Sequence, residues 1–258
     1  MVFRYSKWFI ILLLFLGPKI LLGSNKYCLF IGDSFFSHND LSQKVSSLWG
    51  NMSNDTLIVT NHNKNGSTIE SQWQTNSKDL LLLFASRQWD FVILELPILA
   101  KPQDSTLIRI LHSIDSVLIK SNVYCLTMDF CSQFPEMLCA KDHLGGVNCN
   151  EFNNCEMKLS YIRLIGKSIL NQKFKNYFEV IPLAHYKEYL WEQFSIKLDS
   201  DDKYGHPSEF TQSVIARFIL FHLLDKNTTG FIDLGGDNWT ENKYEDLFYK
   251  SHFYENDH

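Results

Sequence analysis

Short apolar runs alternate with segments of helical periodicity along most of the chain. Residues 27–31, 57–60, 91–94, 123–128 and 178–181 are brief runs rich in β-branched, aromatic and aliphatic side chains, and they read as strands. Between them, residues 41–49 and 69–85 read as helices. Leu107, Ile110, Leu111, Ile114, Val117 and Leu118 fall on one helical face, and Leu159, Ile162, Gly166 and Ile169 mark another helix. A last helix presents Phe210, Val214, Phe218 and Phe221 as its apolar face. Strands buried as continuous apolar runs and joined through helices imply a parallel sheet covered on both faces. The expected fold is therefore a three-layer α/β/α sandwich around a central parallel five-stranded sheet. Strand order is not readable from periodicity.

The start of the chain follows a different pattern. Arg4 and Lys7 precede an apolar run over residues 8–17, which Pro18 and Lys19 interrupt. A basic start and a short apolar core have the form of a secretory signal peptide, so residues 1–23 are assigned to a signal and 24–258 to one domain. The run is shorter than the ~20 residues a spanning helix needs. Leu21 and Leu22 stand where small residues favour cleavage, which keeps an uncleaved anchor as the alternative. Five acceptor sequons, at Asn51, Asn54, Asn65, Asn227 and Asn238, agree with passage through a secretory pathway. The expected location is extracellular or the lumen of that pathway, with no stable membrane association after cleavage.

Cysteine usage fits the same compartment. Four of the six cysteines, Cys131, Cys139, Cys149 and Cys155, crowd into one polar loop, where two local disulfides are expected. Zinc is the rival reading, but no Cys-x-x-Cys pair or histidine at ligand spacing accompanies them. Cys28 and Cys125 lie within strands and read as buried thiols. No cofactor is expected. Residues 1–23 hold Arg4, Lys7 and Lys19 and no acid, so the rest of the chain sets 21 bases against 29 acids. That balance, without a basic patch or arginine cluster, argues against a nucleic-acid partner. Oligomeric state is not legible.

Two stretches carry candidate chemistry. The first strand stops at Gly32-Asp33-Ser34, which would hold a serine at the carboxyl end of a strand, where ligands bind in open α/β sheets. The same tripeptide also reads as an ordinary strand-to-helix turn with a polar cap. Near the other end, Asp201-Asp202-Lys203-Tyr204-Gly205-His206-Pro207-Ser208 precedes the last helix. Pro207 suits the first helical turn and biases His206 away from helical geometry, leaving the histidine on the loop. A histidine with carboxylates four and five residues upstream has the makings of a general base with its orienting acid. A solvated acidic loop with a capping histidine is the plainer reading.

Together these stretches resemble the SGNH, or GDSL-like, hydrolase superfamily. Two middle segments add to the resemblance: Asn65-Gly66-Ser67-Thr68 after the second strand, and Trp89-Asp90-Phe91-Val92-Ile93-Leu94 approaching the third. The likeness spans roughly residues 27–224 and implies a flavodoxin-like α/β/α fold. It implies Ser34 as nucleophile, His206 as base, and the Ser34 and Gly66 N–H groups as oxyanion donors. Two departures stand out. Lys203 occupies the position three before His206, so the acid must be Asp202, or Asp201. The third-strand asparagine of the pattern is absent; Glu95 stands at about that place, and an ionised glutamate cannot donate.

The resulting expectation is a secreted serine esterase or deacetylase. Its substrate would be a small-molecule or glycan ester, with an acyl or acetyl group on carbohydrate as the expected bond. The alternative is a secreted, non-catalytic ligand- or glycan-binding protein on the same fold.

Overall fold

The computed structural model describes residues 23–96, 105–127, 166–181, 183, 186, 190, 198 and 206–224. Residues 1–22 of the segment assigned above to the signal peptide, the cysteine-rich loop and the acids Asp201 and Asp202 lie outside the described residues, as do the sequons at Asn227 and Asn238.

In chain order the elements are β1 (Asn25–Gly32), the short helix α1 (Ser34–Ser37), a 3₁₀ turn (His38–Asp40), α2 (Leu41–Met52) and β2 (Thr56–Asn63). Then follow α3 (Ile69–Ala85), β3 (Phe91–Leu96), α4 (Ser105–Val117), β4 (Asn122–Thr127), β5 (Tyr177–Ile181) and α5 (Glu209–Leu223). Residues 166–170 are helical as well. All four strand pairings are parallel, and the order is β2-β1-β3-β4-β5. The chain thus leaves β1 toward one edge and returns to its other side with β3. The carboxyl ends of β1 and β3 flank the point where the winding reverses, the place where such sheets bind ligands.

Each face of the sheet has its own apolar layer. Phe30, Ile93, Tyr124 and Leu126 point toward α2 and α5, packing with Leu41, Val45, Trp49, Val214 and Phe218. Leu29, Ile31, Val92, Leu94, Val123 and Cys125 point the other way, toward Leu80 and Phe84 of α3 and Leu107, Ile110 and Leu111 of α4. This period-two split of fully apolar strands is what two covered faces require. Cys28 and Cys125 are buried free thiols. Burial pushes both up, Cys125 to about 12, which keeps them protonated and unreactive.

Asp90 stitches the start of the sheet: its carboxylate accepts from the Tyr27 N–H (2.8 Å), and its own N–H donates to the Tyr27 carbonyl (2.9 Å). Trp89 is buried beside it. The last helix differs from expectation. Phe210 is 51% exposed, whereas Thr211, Gln212, Ile215, Ala216, Ile219, Leu220, His222 and Leu223 are buried. The helix is enclosed on most sides, so its burial is wider than a single stripe of aromatic residues. Pro207 also lies outside the helix, because Ser208 is the cap, its hydroxyl accepting from the Thr211 N–H.

Away from the ligand-binding end, Asp115 supports the approach to β5. Its carboxylate accepts from the N–H groups of Lys175 (2.7 Å) and Asn176 (2.9 Å) and from Asn176 Nδ2 (2.8 Å). Asp115→Ala leaves these donors without their acceptor, and urea unfolding should show a loss of about 2–4 kcal/mol.

Candidate active site

The turn that carries Ser34 is built where β1 ends. Gly32 closes the strand, and Asp33 then caps α1, its Oδ1 accepting from the Phe35 N–H at 2.6 Å. The turn is therefore a capped strand-to-helix junction and also the mount for a half-buried serine. Gly32 is dictated by crowding: a Cβ there would overlap Glu95 Oε2 and the Phe36 ring. Its carbonyl accepts from the Lys64 N–H (3.0 Å) and from Gln72 Nε2 (3.0 Å), tying the end of β1 to the segment after β2 and to α3.

His206 reaches this turn from the far end of the chain. Its Nε2 lies 2.9 Å from Ser34 Oγ, the distance of an O–H···N hydrogen bond. With the imidazole neutral, the serine hydroxyl donates and the nitrogen can take its proton. The connection is reinforced from α5. The amide of the fully buried Gln212 donates to the Phe35 carbonyl (2.8 Å) and the His38 carbonyl (2.9 Å). One side chain thus fastens the helix that follows His206 to the residues on both sides of the α1 turn.

A second histidine joins the site. The His38 ring stacks on His206 with centroids 4.7 Å apart and planes 16° from parallel. The stack restrains the plane of the His206 ring. Neither His38 nor Gln212 was foreseen from sequence. His38 lies only four residues after Ser34, but no spacing rule distinguishes it from a surface histidine.

Gly66 lies in the loop after β2, in a turn closed by the Ser67 N–H on the Lys64 carbonyl at 3.1 Å. Its φ of +66° is the left-handed region, which glycine adopts without steric cost. The loop stands beside the nucleophile turn, with Asn65 Oδ1 3.5 Å from Ser37 Oγ and Ser37 Oγ 3.1 Å from the Ser34 carbonyl. Glu95, expected near the oxyanion position, directs Oε2 at the Asp33 N–H (2.8 Å). Burial, reinforced by the charge of Asp33, pushes its carboxyl well above the ordinary glutamate range, while the Asp33 N–H pulls in the opposite direction. Asp202 and Asp201 lie outside the described residues, so the acid of the set is not part of this geometry.

Gln212→Leu keeps approximate volume and removes the donor shared by two carbonyls. It should cost about 1–3 kcal/mol in urea unfolding, and it should lower the reactivity of Ser34 toward a fluorophosphonate more than that of a surface variant of equal stability.

No protein-family model matches the chain, and no curated protein matches it in sequence. Solved structures do. A lipase/acylhydrolase from Enterococcus faecalis aligns over 77% of this chain and 95% of its own, at 13% identity and a TM-score of 0.53. A lipase from a goat rumen metagenome aligns over 75% of this chain and 95% of its own, at 13% identity and a TM-score of 0.46. The chain shares its α/β fold with that lipase/acylhydrolase.

Proposed function

We propose that this chain is a serine esterase whose nucleophile is Ser34 and whose base is His206, with Asp202 as the orienting acid. The observation that carries this reading is the 2.9 Å contact between Ser34 Oγ and His206 Nε2 at the carboxyl end of β1. A serine hydroxyl is a weak nucleophile until a base takes its proton.

In the proposed reaction, Oγ attacks the ester carbonyl as its proton moves to Nε2. The tetrahedral oxyanion forms between the Ser34 and Gly66 N–H groups, which are fixed before the reaction and so stabilise the charge without reorganisation. The imidazolium returns the proton to the leaving alcohol, giving an acyl-enzyme. Water, deprotonated by the same nitrogen, releases the acid and restores the serine. An acyl or acetyl group on a carbohydrate is the proposed substrate, and the secretory segment and sequons are the support for an extracellular setting. A non-catalytic binding protein on the same fold is the second reading, favoured by the glutamate standing where the resemblance expects an asparagine.

Labelling the purified protein with a fluorophosphonate separates the two readings. The esterase should label, and Ser34→Ala should abolish labelling and reduce aryl-ester turnover by about a thousandfold or more. Absence of labelling in the folded wild-type chain leaves the binding protein as the better reading. Asp202→Asn should cost about a hundredfold or more in kcat, with Asp201→Asn near wild type; equal and small effects would assign no acid to this pair.

A further inference from the structure

We propose that Glu95 of β3 holds the Ser34 turn by accepting from the Asp33 N–H, making Glu95 a positioning residue for Ser34. The catalytic consequence rests on the esterase reading; the contact itself does not.

Glu95 follows Leu94, whose register partner on β1 is Ile31, and it lies opposite Leu126 of β4. Strand alternation turns it to the face of Ile93 and Leu126, beneath α1. There its Oε2 accepts from the Asp33 N–H at 2.8 Å. Gly32 leaves room for this approach, since any Cβ at that position would overlap the same oxygen. Asp33 Oδ1 meanwhile takes the Phe35 N–H as the cap of α1.

Burial and the charge of Asp33 raise the Glu95 carboxyl well above the ordinary glutamate range, which favours its neutral form. The Glu95 oxygen accepts from the Asp33 main chain, and Ser34 follows directly.

The neighbouring titratable groups have other partners. On the same face, Lys44 of α2 and Glu209 of α5 pair with each other at 3.3 Å, and His38 and His206 engage one another and Ser34. No charged side chain on β4 lies opposite Glu95, whose partner there is Leu126. Loss of the Glu95 proton would place a second negative charge beside Asp33.

The sign follows from the raised carboxyl. Protonated Glu95 is favoured by the folded state, so its contribution is complete below the unfolded value of about 4.3 and is lost as pH rises through the higher folded value. Glu95→Gln keeps a donor and an acceptor and cannot ionise. The Tm of this variant should move upward relative to wild type as pH rises from about 4 to about 8. A Tm difference that does not vary with pH would overturn the proposal.

Carbon-13 carboxyl spectra of the wild-type chain supply a test that needs no variant to fold. One glutamate should titrate well above the ordinary glutamate range. Spectra in which every glutamate titrates in the ordinary range would overturn the placement of Glu95 against the turn. Both readouts are independent of turnover, so an inert but titrating protein would count against the esterase alone. In an active protein, Glu95→Leu should lower kcat by about tenfold to a hundredfold with KM little changed. Glu95→Gln should restore kcat and sustain it further into the alkaline range; a Gln variant as impaired as Leu would remove the positioning role.

Discussion

The contact between Ser34 and His206 closes 172 residues of sequence. A hydrogen bond exchanged with water contributes only about 1 kcal/mol net, far too little to order that much chain. The contact is therefore a product of the fold and depends on how the fold secures its two ends. Ser34 is anchored by a buried strand with a parallel neighbour on each side. His206 is anchored by Ser208 capping α5 and by the burial of that helix against the face formed by β1, β3 and β4.

The nucleophile turn shows the same logic in finer grain. The segment after β2 and α3 both donate to the Gly32 carbonyl, through Lys64 and Gln72. Strand β3 receives the Asp33 N–H through Glu95, and α5 donates to the Phe35 carbonyl through Gln212. Four segments thus converge on Gly32, Asp33 and Phe35, each at a main-chain group. These contacts fix the backbone that carries Ser34. Such pre-organisation suits the proposed nucleophile, since misplacement by about 1 Å can cost a hundredfold in rate.

Much of this frame was legible in the sequence because its causes are local. Apolar runs and helical spacing identify the strands and the helices at 41–52, 69–85 and 105–117, and the resemblance identifies Ser34 with His206. Strand order was not legible, because β1 presents the same apolar pattern whether its neighbours are β2 and β3 or any other pair. Glu95 was legible as a departure, but its direction was not. That direction depends on Gly32 leaving space and on Asp33 offering an N–H, both set by strand register. Gln212 reads as a polar interruption in an apolar helix until the two carbonyls it satisfies are adjacent to it. Phe210 illustrates the opposite case: an aromatic residue in step with a helical stripe, yet exposed, in a first turn that buries Thr211 and Gln212 instead.

A carboxylate and an imidazole in contact do not by themselves define a site, and this protein contains the counter-example. Glu179 Oε1 lies 2.6 Å from His222 Nδ1, a shorter contact than the 2.9 Å between Ser34 and His206, and Glu179 Oε2 accepts from the Tyr177 hydroxyl at 2.8 Å. That pair is enclosed by the rings of Phe218 and Phe221, on the third residue of an edge strand and in the last turn of α5. Its position gives no route for a substrate carbonyl. Ser34 and His206 differ in standing past the end of a strand, at the reversal of the sheet, and in being half-buried where His222 is fully enclosed. The proposed chemistry stands where the sheet ends, whereas the Glu179–His222 pair within the sheet is a structural tie between β5 and α5.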